Sequence, residues 1–166
     1  MHMKVVRCTF KWPLLEQRVK ELRKNGKTIV FTNGCFDGLH PGHLALLAFA
    51  RDQGDYVIVG LNSDNSVRLL KGDDRPIHGV EVRAEALLHS GYVDTVVFFD
   101  MPSPLELICS LKPDVLIKGD DYLPEQIVGA QEVLANGGTV KIFQRIPGYS
   151  TSTLLANKND KKKETK

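Results

Sequence analysis

The sequence predicts an α/β fold: a doubly wound, five-stranded, mostly parallel Rossmann-like sheet with helices on both faces. Short apolar runs rich in β-branched and aromatic residues alternate with longer segments of helical spacing, the order that builds right-handed β-α-β units. Clusters of Gly, Asn and Asp punctuate them at close intervals. The polar, glycine-rich stretches come after apolar runs rather than before them, which is where such a sheet places its site. A chain of 166 residues, 42% hydrophobic and 25% charged, suits one soluble domain with a core of its own.

The elements follow in order. Leu14, Leu15, Val19 and Leu22 recur at helical spacing and Asn25-Gly26 closes that segment, so residues 1–27 form a helical lead-in. Ile29-Val30-Phe31 is the first strand. After a glycine turn, Pro41 fits the first turn of a helix that continues through the apolar run 44–50. Residues 56–61 make the second strand, and Asn62-Ser63-Asp64 turns the chain and caps a short helix reaching Leu70. Residues 79–89 read as a helix with Val82, Ala86 and Leu87 on its inner side. The unbroken hydrophobicity of 93–99 marks a third strand covered on both faces. Ser103 and Pro104 open a helix to Leu111, and 114–117 is the fourth strand. Residues 124–135 are helical, Asn136-Gly137-Gly138 stops them, and 139–143 is the fifth strand. Ser150 or Ser152 then caps a last helix through Asn157. No repeat or linker interrupts residues 1–157, a single domain; 158–166 is a charged tail expected to be disordered.

That tail sets the net charge of +2. It holds five Lys against Asp160 and Glu164, leaving 17 basic and 18 acidic residues in the body. A near-neutral body lacks the basic face of a nucleic-acid binder. No apolar run reaches the length of a membrane span and no secretory pattern opens the chain. Cys8, Cys35 and Cys109 are odd in number and lack CxxC spacing, which argues against a disulfide framework or zinc site. The expectation is a cytoplasmic protein with neither a nucleic-acid nor a membrane partner.

The chain is organised around residues 28–43. The strand runs into Thr32-Asn33-Gly34-Cys35-Phe36-Asp37-Gly38-Leu39-His40-Pro41-Gly42-His43. Strand, glycine turn and helix N-terminus make an anion site, where free N–H groups and the positive end of the helix dipole converge. His40 and His43 stand at that place. Metal ligation needs further ligands at matching spacing, and none is present. As phosphate-binding groups, the two imidazoles would donate N–H bonds to charge building on a phosphoryl group under attack. The glycines are spaced by four, so neither the dinucleotide fingerprint nor a Walker loop is present. Asp37 can orient the turn or cap it. Cys35 reads as packing, without a fixed cation to activate it. Asn62–Asp64, Lys118–Tyr122 and Arg145–Ser152 also follow strands and gather on the same rim.

The run from Thr32 to His43 resembles the HxGH signature of the nucleotidyltransferase superfamily, which includes cytidylyltransferases and phosphopantetheine adenylyltransferase. Arg145-Ile146-Pro147-Gly148-Tyr149-Ser150-Thr151-Ser152 resembles its second signature, a Ser-Thr element after the last strand, with Ser152 where Thr is common. Within the superfamily, Lys71-Gly72-Asp73-Asp74-Arg75-Pro76-Ile77, Lys118-Gly119-Asp120-Asp121-Tyr122, Ile127-Val128-Gly129 and Gly148-Tyr149-Ser150-Thr151 resemble the bacterial D-glycero-β-D-manno-heptose 1-phosphate adenylyltransferases. These occur alone or behind a sugar kinase domain, and without a kinase half the chain resembles the stand-alone form. Asp120, where that family usually has Gly, is as in cytidylyltransferases.

The resemblance implies transfer of AMP from ATP to heptose 1-phosphate, giving ADP-heptose and pyrophosphate for the lipopolysaccharide inner core. It implies His40 and His43 in catalysis; Lys71 reads as a catalytic mobile cation closing over the phosphates, or else as a solvated loop lysine. Thr32, Asn33, Gly34, Phe36, Gly119, Asp120, Arg145, Ser150 and Thr151 would bind nucleotide: Asp120 accepts from ribose hydroxyls, and Ser150 and Thr151 hold the β- and γ-phosphates. Asp37, Asp64 and Arg83 would bind substrate, Arg83 as a phosphate clamp. Mg²⁺ would come with the ATP triphosphate, with no metal site in the protein itself. Partners are ATP and a sugar phosphate, and a homo-oligomer is compatible with the family. The alternatives are a cytidylyltransferase acting on glycerol 3-phosphate or another phospho-alcohol, and a nucleotide-binding module without catalysis.

Overall fold

The computed structural model describes residues 4–6, 12–120 and 123–144. They form a six-stranded, wholly parallel sheet in the order β1-β4-β3-β2-β5-β6. The strands are β1 (Lys4–Val6), β2 (Ile29–Gly34), β3 (Tyr56–Asn62), β4 (Thr95–Phe99), β5 (Val115–Gly119) and β6 (Thr139–Phe143). The helices are α1 (Pro13–Lys24), α2 (Pro41–Asp52), α3 (Asp64–Lys71), α4 (Val80–His89), α5 (Leu105–Leu111) and α6 (Ala130–Ala135). The five expected strands are all there. The sixth, β1, stands within the stretch read as a helical lead-in. It pairs Val5 with Val96 and Val6 with Val97 on the open edge of β4. Three residues, the first of them Lys4, are too few for alternation to register.

Side chains alternate across the sheet as a doubly wound fold requires. Ile29, Phe31, Ile58, Val97 and Leu116 pack with α1, α5 and α6 through Leu15, Leu107, Ile108 and Val133. Val30, Val57, Val59, Val96 and Ile117 pack with α2 and α4 through Leu47, Ala50, Ala84 and Leu87. Two inner faces differ from expectation. On α1, Leu15 and Val19 are buried while Leu14 points out. On α4 the buried face is Arg83, Ala84, Leu87 and Leu88, with Val82 exposed. Assuming that the charge of Arg83 faces water rotates that helix the wrong way.

The amino rim is pinned by carboxylates. Asp55 accepts from Thr28 N–H (2.8 Å), Asp94 from Val57 N–H (2.8 Å) and Asp114 from Ile29 N–H (2.7 Å). Each stands just before one strand and takes an amide at the start of its neighbour, fixing register at the end away from the site.

The expected helix over 124–135 is broken. A 3₁₀ turn, Pro124–Gln126, precedes α6, and Gly129 between them has φ +86°. A Cβ there would lie 2.6 Å from Ile108 Cδ1. Both backbone and packing therefore require glycine. Gly137 shares the left-handed conformation, with φ +81°, and has open space around it. Gly129→Ala should therefore cost about 1–3 kcal/mol more than Gly137→Ala in urea unfolding, the added cost of overpacking. Equal costs would show that Ile108 yields freely.

Candidate active site

The chain leaves β2 toward β3 and β4 on one side, and β5 and β6 lie on the other, so β2 and β5 flank the topological switch point. A cleft of about 640 Å³ opens there, at the carboxyl ends of the strands. Of the residues singled out from the sequence, Thr32, Asn33, Gly34, Phe36, Asp37, His40, His43, Lys71 and Gly119 all line it. Asp120 follows Gly119 in a turn but is not among the lining residues. Arg145, Ser150 and Thr151 lie outside the described residues.

The glycine turn is tight. A Cβ on Gly34 would meet the Phe36 ring at 3.1 Å, and Phe36 itself has φ +45°. A phenylalanine in that region is strained, and its ring, 8% exposed, is held against the cleft. The ring then meets His43 at 5.2 Å between centroids, tilted by 59°.

His40 is the N-cap of α2. Its Nδ1 accepts from Gly42 N–H (3.1 Å) and His43 N–H (3.3 Å), while Pro41 supplies the first helical residue, which has no N–H to satisfy. An accepting Nδ1 is unprotonated, so the proton of the neutral ring sits on Nε2. Burial lowers the pKa of His40 in the same sense. His43, three residues on, stacks on His40 with centroids 3.7 Å apart and planes 19° apart. Its pKa falls to about 4, chiefly because the ring is buried and next because His40 and Lys71 disfavour a second positive charge; Gly38 opposes this weakly. The pair is thus neutral at physiological pH, with one helix start beneath it. Burial raises the pKa of Cys35, and the thiol stays protonated, in keeping with a packing role.

Two residues expected to bind substrate are engaged within the protein. Arg83 is not among the residues lining the cleft. It is 2% exposed, and its guanidinium is committed to protein acceptors: His78 O (2.9 Å), Cys35 O (2.8 Å), Asn62 O (2.9 Å) and Asp64 Oδ1 (2.8 Å). Asp64 is the other half of that ion pair and lies outside the cleft lining, and Ser63 rather than Asp64 caps α3, accepting from Ser66 N–H at 3.1 Å. Asp37 reaches the cleft, but its carboxylate accepts from Ile77 N–H (2.7 Å), His78 N–H (3.0 Å) and Arg75 Nε (3.0 Å). Burial alone would raise its pKa; those three donors outweigh it and bring it below the usual value.

The cleft also holds residues to which the sequence assigns no individual role. Lys118 lines it and donates to Asn33 O at 3.2 Å. It stands between the apolar run of β5 and Gly119, a position that the strand-end rule marks. Pro102, Ser103 and Pro104 line the cleft from the loop after β4, the one strand whose following loop the sequence reading leaves off the rim. Ile127, Val128 and Phe143 supply an apolar wall on the β5–β6 side. Among the described residues no group of three or more His, Cys, Asp or Glu is placed to hold a metal ion, and no helix is long and apolar enough to cross a membrane.

Comparison with known proteins agrees with this geometry. Residues 31–157 match the family model described as cytidylyltransferase-like. The chain is 49% identical over 142 residues to the bifunctional protein HldE of Rhodopseudomonas palustris strain TIE-1, covering 86% of this chain and 29% of that protein. It is 50% identical over 146 residues to HldE of Marinomonas sp. strain MWYL1 (88% and 30%) and 50% over 141 residues to HldE of Haemophilus ducreyi (85% and 30%). It therefore spans less than a third of the length of these curated relatives. The crystal structure of a lipopolysaccharide core biosynthesis protein from Thermoplasma volcanium GSS1 superposes with a TM-score of 0.59 at 25% identity, over 73% of this chain and 98% of that one. With a family match running from the central strand through the rim loops, and half-identical relatives over most of its length, the chain belongs to the cytidylyltransferase-like family.

Proposed function

We propose that the chain transfers AMP from ATP to D-glycero-β-D-manno-heptose 1-phosphate, releasing pyrophosphate and forming ADP-heptose for the lipopolysaccharide inner core. The observation that carries this reading is the neutral, stacked pair His40–His43 on the capped start of α2, inside a switch-point cleft. The half-identical HldE relatives and the lipopolysaccharide core biosynthesis structure favour a heptose phosphate over a simple phospho-alcohol.

The chemistry asks little of the protein beyond positioning and charge. A phosphate oxygen of the sugar phosphate forms a new bond to the α-phosphorus as the bond to the pyrophosphate oxygen breaks. The attacking oxygen is already anionic, so no protein base is required. The Nε2–H of His40, fixed in that tautomer by the helix cap, donates to a non-bridging oxygen whose charge grows as phosphorus becomes five-coordinate. His43 adds a second imidazole to the same place, and Lys71 a cation from the end of α3. Arg145, Ser150 and Thr151 would hold the β- and γ-phosphates. Mg²⁺ enters with the triphosphate as MgATP. Asp37 is the one carboxylate residue lining the cleft among the described residues, and both its oxygens are taken by protein donors. The described residues thus form no Mg²⁺ cage of their own. A cytoplasmic enzyme, acting alone or as a homo-oligomer, fits this role.

Pyrophosphate release should be greatest with ATP and heptose 1-phosphate in a panel of nucleoside triphosphates and phosphorylated acceptors. Turnover with CTP and glycerol 3-phosphate, and none with ATP and the heptose, would overturn the assignment. His43→Ala should lower kcat by about a hundredfold or more with ATP still bound, the size of a lost transition-state donor. Unchanged turnover in that variant would remove the residue from the reaction. Nucleotide binding should also take up a proton. The free His43 titrates at about 4, and a bound phosphate anion raises that value, so at about pH 5.5 the complex holds more protons than its parts. Calorimetry of MgATP binding in buffers of different ionisation enthalpy should show uptake at about pH 5.5 and none at about pH 8, and affinity should strengthen as pH falls between the bound and free values. Equal proton counts at both would contradict an anion beside His43.

A further inference from the structure

Asp37 and Arg83 are the two buried charges at this rim, and they do not pair with each other. Both instead hold the same segment. Asp37 takes the N–H groups of Ile77 and His78 and the side chain of Arg75, and Arg83 gives to the carbonyl of His78. Asp37 lies three residues before His40, on the turn that carries the histidines. The held segment begins just after Lys71. Gly72, with φ +105°, ends α3 and donates to Arg68 O (2.9 Å), and Arg75 N–H returns to Gly72 O (3.2 Å). Lys71 is thus held from two sides: by α3, which Ser66 and Val67 seat on the body, and by the Asp37 anchor, to which one closed turn through exposed Gly72, Asp73 and Asp74 joins it.

We propose that Asp37 is a positioning residue, whose carboxylate sets the place of Lys71 across the cleft from the His40–His43 pair. This rests on the nucleotidyl-transfer reading above and deepens it. Asp37 touches no reacting group. A carboxylate suits the task because it only accepts and has two oxygens for three donors. The isosteric amide of an Asp37→Asn variant would present N–H to one of those donors. The arrangement also explains why Asp37 lines the cleft while offering it no oxygen.

The test combines hydrogen exchange with a rate cycle on the full chain. In Asp37→Asn without ligand, protection at the Ile77 and His78 amides should fall about tenfold or more, with the core strands unchanged. Lys71→Ala and Asp37→Asn should each lower kcat/KM about tenfold. Adding Lys71→Ala to Asp37→Asn should cost under about threefold more, because the cation is already misplaced, whereas His43→Ala should keep its full cost in that background. Arg75→Gln, which removes one donor and leaves the carboxylate in place, should show the same pattern at smaller amplitude, and it decides the matter if Asp37→Asn does not fold. Unchanged exchange, full additivity of Lys71→Ala, a silent Lys71→Ala, or loss of the His43→Ala effect would each overturn the proposal. If the wild-type chain turns over no nucleotide, the proposed function fails, and exchange at Ile77 and His78 alone decides whether Asp37 holds the segment.

Discussion

The carboxyl rim depends on a guanidinium kept from water. Removing a charge from solvent costs several kcal/mol unless it finds partners of good geometry, and breaking such a set leaves the remaining groups unpaired. Arg83 meets that demand with carbonyls from the glycine turn, the end of β3 and the α3–α4 connection, and with the carboxylate of Asp64. Three segments that are distant in sequence therefore share one side chain. None can shift without stranding an acceptor or the charge itself. Arginine suits the position because its planar fork aims donors in several directions at once and stays charged at any relevant pH.

The opposite rim is built by the inverse device. There, aspartates before the strands accept single backbone amides from neighbouring strands, and Asp94 adds Arg51 at 2.7 Å. These are local bonds that hold adjacent strands in register. At the carboxyl rim the bonds run from side chains deep within the structure to loops, because the loops there have no sheet ladder to satisfy their carbonyls. The difference matches the roles of the two rims. One holds register, and the other holds irregular backbone in a shape that a ligand can use.

Much of this is legible from sequence because the strongest signals are local. The apolar runs, the turn glycines and Pro41 place strands, turns and helix starts with no knowledge of what packs against them. The glycine turn and its histidines are readable for the same reason, since a strand, a left-handed turn and a helix start are consecutive. What escapes depends on partners far along the chain. Periodicity puts Val82 inside and Arg83 outside because it cannot tell a solvated charge from one with carbonyls waiting 48 and 21 residues away. Asp64 and Arg83 both read as residues for a ligand, and each is the other's partner. The break at Gly129 depends on Ile108, and β1 depends on an open edge of β4. Lys118 and the 102–104 loop are within reach, because the rule that functional loops follow strands applies to every strand.

The choice of a histidine at the head of α2 joins the fold to the chemistry. A Ser, Thr, Asp or Asn would cap the helix as well, since the cap needs only an acceptor facing the free amides. None of these leaves behind a ring that points a donor elsewhere. Capping through Nδ1 fixes which nitrogen carries the proton, so the other nitrogen is a donor at all times when the helix is intact. Protonating the ring would turn Nδ1 into a donor facing two other donors, and stacking on His43 adds a further penalty on charge. The helix start thereby holds its first imidazole neutral, oriented and of one tautomer before any ligand arrives. That is preorganisation in the strict sense: the free energy that orients the donor is part of folding, and none of it is demanded when charge develops on the phosphate.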